Sequence, residues 1–433
     1  MCGPLWTSPD AGFSPALATR LQAVPRLKDP SVNPYPLVLR HPTLRLIAVA
    51  LLLLGAHNAS IYPYQSLIAI EKIGLSKPGF SLMLVMASAI AVTSSVLFGV
   101  LGDQYGHRRR IALITALCST IGIAAMLLHP GIWALILCQG VMIPLASSLY
   151  GQLFALARLA SPDEGKARDV VLGTIRSSMS VTFLVMLIFW TFAFAAGANV
   201  MAVYVSGGLA SLGLSLLVLF GWPRDGQTDW ADQRSGMNLR AAFRDIGQAH
   251  VLIRLLFIGA LASAGNLYMV LVSLVFDASP VRDAGDVALY VGLVAGWEVP
   301  AMLILPRFAH LVPRSSMIAL GAAVYCVHLV ALPLLCDTPW LWGMTIVAGF
   351  GGAAIITGPI GYYQDLMVGR PGTAAAMLAL QKLVSDVLTA AAFAIGSAMG
   401  GFEVVALIGA GVALSGAAGL YLVDRRRTVP VNV

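Results

Sequence analysis

Twelve stretches of about twenty residues, each nearly free of charge, constrain this chain more than any other feature of its sequence. A run of that length, wound as a helix at about 1.5 Å per residue, covers the roughly 30 Å of hydrocarbon in a bilayer. Inside lipid every backbone N–H and C=O must be satisfied within its own segment, so such runs are helices. They fall near 44–70, 79–101, 111–128, 132–157, 173–197 and 200–222, and again near 251–276, 288–305, 316–336, 340–363, 374–398 and 404–423. Composition agrees: 58% of the 433 residues are hydrophobic and 11% are charged, where soluble domains carry about 25% charged residues. A water-soluble enzyme and a nucleic-acid binder are excluded on that ground, although the net charge is +7.

The basic residues sort by side. With both termini in the cytoplasm, only Lys72, Lys77 and Arg282 face outward, Arg176, Arg254 and Lys382 fall within spans, and every other Lys and Arg faces in. That is the asymmetry of the positive-inside rule, and it predicts a multi-pass protein of the cell (inner) membrane. Residues 1–43 are polar and hold eight prolines, which reads as a disordered cytoplasmic arm. The 44–222 and 251–424 segments form the two membrane halves, and 425–433 is a basic tail. In the linker 223–250, Leu239, Ala242, Phe243 and Ile246 recur at helical spacing opposite Arg240, Arg244 and Asp245. This is the pattern of a short helix lying on the inner membrane face. The five cysteines form no CxxC pair, so neither a disulfide framework nor a zinc site follows, and no cofactor is expected.

The two halves echo each other. Tyr150, Gln152 and Arg158 at the end of the fourth run recur as Tyr362, Gln364 and Arg370 at the end of the tenth, a shift of 212. A weaker echo relates the loop after the second run to the loop after the eighth. Repeats of this kind build two six-helix bundles around a central path in secondary transporters.

The loop Gly99-Val-Leu-Gly-Asp103-Gln-Tyr-Gly106-His-Arg108-Arg109-Arg110 resembles a motif of the major facilitator superfamily. Its glycines permit close helix approach and a tight turn, and Asp103 can pair with arginines at neighbouring helix ends. A closer resemblance is to the Set-type sugar efflux transporters of that superfamily. It rests on Gln152-Leu-Phe-Ala-Leu-Ala-Arg158, on Gly296-Trp-Glu298-Val-Pro300-Ala-Met302 and on Gln364-Asp365-Leu-Met367-Val-Gly369-Arg370. The resemblance implies an all-α membrane protein of twelve transmembrane helices in two pseudo-symmetric bundles, the major facilitator fold. It also implies a gating set of Gly99, Asp103, Gly106, Arg108, Arg109, Arg158, Gln364, Asp365 and Arg370.

Polar residues inside the apolar runs are the candidate site. Glu298 lies about ten residues into the eighth run, where an ionised acid costs about 3 kcal/mol even on insertion scales. That suits a proton carrier or an acceptor for sugar hydroxyls; the plainer alternative is a hydrogen-bonding residue between helices. Asp386 stands four residues after Lys382, so it is either a local ion pair or a second coupling acid. Arg176 either reaches back to the cytoplasm or serves the cavity as a counter-charge. His57, Asn58, Tyr62 and Gln65 in the first run, Asn266 and Tyr268 in the seventh, and Gln381 in the eleventh supply the amides and rings that a carbohydrate site needs. Taken singly, each also fits a packing hydrogen bond. His328, alone in the ninth run, reads as a core histidine.

The expectation is therefore a secondary transporter that exports sugars or glycosides in exchange for protons, acting as a monomer in the lipid bilayer. The alternative is an exporter of drugs or other small metabolites. An integral-membrane enzyme would need a catalytic pair such as HExxH or a Ser/Lys dyad, and none is present.

Overall fold

Each apolar run folds as a helix because the bilayer leaves the backbone no other partner. The computed structural model describes residues 35–105, 107–161, 165–223, 247–305, 312–367 and 371–425. Its membrane-crossing helices are α1 (Pro42–Lys72), α2 (Lys77–Gly102), α3 (Arg108–Leu128), α4 (Ile132–Ala160), α5 (Val171–Ala195) and α6 (Ala202–Gly221) in the first half. The second half holds α7 (Ala249–Asp277), α8 (Ala284–Ile304), α9 (Arg314–Leu335), α10 (Leu341–Leu366), α11 (Met377–Met399) and α12 (Phe402–Arg425).

Packing repeats between the halves. α1 packs on α5 and α6, α3 on α4 and α6, and α2 on α4; correspondingly α7 packs on α11 and α12, α9 on α10 and α12, and α8 on α10. The bundles meet through α2 against α11, α5 against α8, and α1 against α7. Exchanging the halves turns the first pair into the second, which is the signature of a pseudo-two-fold axis.

Several boundaries differ from the sequence expectation for physical reasons. The arm expected over 1–43 ends sooner: Tyr35–Arg40 is helical, and α1 begins at Pro42, whose fixed φ suits a first helical turn. The interfacial helix expected around Leu239–Ile246 lies outside the described residues. α1 is not a continuous α-helix. Pro63 has no N–H and its ring crowds the carbonyl four residues back, and Tyr62–Tyr64 tightens to a 3-10 turn there; further on, Ile68–Lys72 forms a π turn. α8 starts at Ala284 rather than near 288, because Asp283 caps it: its carboxylate accepts from the Asp286 N–H at 2.9 Å, and Asp286 accepts in return from the Asp283 N–H. Glu298 is thus 14 residues into α8, about 21 Å from that end, well past the ten residues expected.

The glycine-rich stretch of α10 lets α8 and α9 come close. A Cβ on Gly351 would stand 2.8 Å from the Gly321 carbonyl oxygen of α9. One on Gly349 would stand 2.9 Å from the Trp297 carbonyl carbon of α8.

Candidate substrate cavity and its charged residues

α8 carries Glu298 two residues before Pro300, which removes a helical hydrogen bond to the carbonyl of Gly296 and loosens the turn around the acid. The carboxylate lies against Gly352 of α10, where a Cβ would stand 2.7 Å from Glu298 Oε1. Among the described residues none hydrogen-bonds or ion-pairs with it. It faces a cavity of about 350 Å³. The polar wall of that cavity is Asn266 and Tyr268 from α7, Glu298 from α8, Tyr325 from α9, and Gln381, Lys382 and Ser385 from α11. Phe183 of α5, Met269, Ile355, Ile356, Pro359 and Leu378 supply the apolar wall. All of these except Phe183 belong to the second bundle, so the cavity is markedly asymmetric. Gln381 Oε1 is buried without a partner at its edge, an acceptor left open to a ligand donor.

Asp386 is fully engaged. Its Oδ2 accepts from Lys382 Nζ at 2.7 Å and from Ser88 Oγ of α2 at 2.6 Å, and its Oδ1 accepts from Asn266 Nδ2 at 2.6 Å. Asn266 Nδ2 also reaches Ser385 Oγ at 2.9 Å. The i, i+4 ion pair legible in the sequence is therefore one strand of a network that ties the bundles together at mid-depth.

Among the described residues, the remaining polar and charged cross-bundle contacts cluster in the membrane half away from the termini. Ser66 Oγ donates to the Val270 carbonyl at 2.6 Å and lies 3.0 Å from Ser273 Oγ. Tyr64 OH donates to the Ala284 carbonyl at 3.3 Å. Lys72 pairs with Asp277 at 3.7 Å, and Lys77 sits over the Phe402 ring. The bundles are thus joined on the far face, with the cavity on the terminal side of the seal.

The other sequence candidates lie apart from this cavity. Tyr62 and Gln65 line a second, water-sized space of about 30 Å³ between the bundles, which shares Asn266 with the main cavity. His57 is buried in the first bundle, its Nδ1 3.3 Å from the Gly207 carbonyl of α6, and Asn58 is half-buried off the cavity wall. Arg176 is exposed and also off that wall. In the loop motif, Gly99 is open, Arg109 donates to the Leu219 carbonyl at 2.7 Å, and Arg108 is half-buried. Gly106 and the Asp103 side chain lie outside the described residues, as does Arg370. Arg158 and Gln364 are exposed, and Asp365 pairs with Arg314 at 3.2 Å. The repeat is therefore not symmetric in its contacts: Gln152 is buried and donates to the Phe98 carbonyl at 3.1 Å, whereas Gln364 faces out. Ser88, Ser385 and Tyr325 gave no sequence signal, because a serine or tyrosine in an apolar run looks alike whichever way it points.

The family model for the major facilitator superfamily matches residues 47–388. The chain belongs to the major facilitator superfamily. It is accordingly a multi-pass membrane transporter of small molecules and not an enzyme. The transporter is 23% identical over 401 residues to a Deinococcus radiodurans protein assigned as a sugar efflux transporter, covering 88% of this chain and 97% of that one. It is 22% identical over 331 residues to sugar efflux transporter A of Escherichia coli K12, covering 74% and 81%. Among solved structures it resembles the nucleoside transporter NupG, with a TM-score of 0.71 at 15% identity over 89% of the transporter and 99% of NupG. It also resembles a peptide transporter of the POT type, with a TM-score of 0.70 at 12% identity over 92% and 99%. At such identities these likenesses establish the fold.

Proposed function

We propose that the transporter exports a sugar or glycoside from the cytoplasm by alternating access, in exchange for protons. The observation that carries this reading is the unpartnered Glu298 carboxylate on a cavity that also presents an unpartnered amide oxygen at Gln381. The cavity volume suits a small solute, near the lower end of ligand-site volumes. Amide, hydroxyl and ammonium groups interspersed with apolar groups match a sugar's hydroxyl rim and CH faces. The names of the two sequence relatives support the same substrate class and direction. The basic residues support placing the terminal face in the cytoplasm.

In the cycle, solute enters from the terminal side and contacts Asn266, Tyr268, Gln381 and Lys382, while Glu298 gives up its proton to that side. Rocking of the bundles then parts the Ser66–Ser273, Tyr64–Ala284 and Ser88–Asp386 contacts and opens the far side. Solute leaves there and Glu298 is reprotonated. The arginine-rich loop between α2 and α3 and the Arg314–Asp365 pair hold the terminal ends in register.

The test uses purified transporter in liposomes with labelled mono- and disaccharides, a nucleoside and a cationic drug, with and without an imposed pH gradient. Sugar flux driven by the gradient in the wild type and lost in Glu298→Gln is the expected result. Undiminished gradient-driven flux in that variant rejects the role of Glu298. Transport of the nucleoside or the drug in place of sugars rejects the substrate class.

A further inference from the structure

His328 is completely buried in α9, and neither ring nitrogen has a hydrogen-bond partner among the described residues. The hydroxyls of Tyr268 and Tyr290, buried beside it, also lack partners. The Tyr268 and Tyr325 rings lie 4.9 Å and 5.1 Å from the imidazole, and the Tyr290 ring is stacked on it at 6.0 Å. Leaving one buried donor or acceptor unmade costs about 1–3 kcal/mol, so four in one cluster make a poor packing device. An apolar side chain there would carry no such cost.

Their depths explain the arrangement. Counted along the helices at about 1.5 Å per residue from the far ends, Glu298 lies about 21 Å in, Tyr325 about 15 Å, Tyr268 about 14 Å, His328 about 10 Å and Tyr290 about 9 Å. The cluster therefore runs stepwise from the cavity wall, where Glu298, Tyr268 and Tyr325 stand, toward the face that the cross-bundle contacts seal. It lies inside the second bundle and not along the interface that solute must pass.

We infer that His328, with Tyr290, Tyr268 and Tyr325, is a proton relay that connects Glu298 to the far face by a route that leaves the solute path at the cavity wall. This rests on the proton-coupled reading of the preceding section. In a relay step a proton is accepted on the free lone pair of one ring nitrogen as the N–H proton of the other leaves toward the next hydroxyl. Charge is conserved and the opposite tautomer remains, to be reset by a ring turn before the next passage. In the conformation with the far face sealed, the members of the relay make no hydrogen bonds to one another. That break is what coupling requires: a continuous wire from the far face to a Glu298 already open to the terminal side would leak protons. Movement of α8 against α9 as the far face opens would bring the members into hydrogen-bond reach. The titratable groups packed on the imidazole are Tyr268 from α7, Tyr290 from α8 and Tyr325 on its own helix, with Glu298 beyond Tyr268 and Tyr325 at the cavity wall; among the described residues no Asp, Lys or Arg pairs with it.

The test separates two fluxes in liposomes containing the full-length transporter. Gradient-driven net sugar flux needs the proton route, whereas sugar counterflow between equal pH values does not. His328→Phe keeps an aromatic ring, one atom larger, without its nitrogens, and Tyr290→Phe removes one hydroxyl only. Both are expected to lower gradient-driven flux by about 10-fold or more and to leave counterflow within about twofold. Gradient-driven flux at the wild-type rate in both variants overturns the relay, as does an equal fall in both fluxes in Tyr290→Phe, which marks a structural role. If His328→Phe fails to assemble, Tyr290→Phe decides. A wild type that performs counterflow but has no gradient-driven flux refutes proton coupling itself, and the relay with it.

Discussion

Replacing Ser88 with alanine should shift the transporter toward the conformation open on the far face. Ser88 Oγ donates to Asp386 Oδ2 across the bundle interface at 2.6 Å, a contact that exists only while α2 and α11 are together. Hydrogen bonds to charged groups contribute about 1.5–3 kcal/mol. Two features place this one at the lower bound. Asp386 keeps Lys382 and Asn266 when the serine is lost, so no charge is orphaned, and the Lys382 side chain is 52% exposed, so the site is partly solvated. A loss of about 1.5 kcal/mol multiplies the ratio of far-open to far-closed molecules by about tenfold. Spin labels at Glu71 and Pro280, both exposed near the far ends of α1 and α7, report the separation of the bundles by pulsed electron spin resonance. A ratio of long-distance to short-distance populations growing by that factor in Ser88→Ala is the expected result. An unchanged distance distribution would refute the claim that this bond helps hold the far face shut.

Gly352→Ala would put a methyl carbon 2.7 Å from Glu298 Oε1 and force the carboxylate to turn, so gradient-driven flux should fall while the variant still reaches the membrane and elutes as a single species in detergent. Arg254→Ala breaks a buried pair with Asp424, at 2.9 Å with the arginine side chain 4% exposed, and should destabilise by about 3–5 kcal/mol, seen as a lowered melting temperature in detergent. Lys72→Ala, which removes a pair with both side chains more than a third exposed, should leave that temperature within error.

The number of crossings, their order and the presence of an acid deep in α8 were all legible in the chain, because hydropathy and run length are properties of a segment taken alone. The loop motif and the echo between Tyr150 and Tyr362 also carried the family and the duplication. Which polar residues meet was not legible, since that depends on the azimuth of each helix against neighbours distant in sequence. The two histidines show this. His57, read with the substrate residues, is spent on the Gly207 carbonyl in the packing of α1 on α6. His328, read as core filling, stands without a hydrogen bond to the described residues among three tyrosines, two of which reach the cavity wall. Asp386 and Lys382 showed their ion pair through i, i+4 spacing, a local rule, but Ser88 joined them only when α2 was laid on α11. The amino-acid order set what must be buried in oil; the packing of one bundle on the other decided which buried groups were left free to bind.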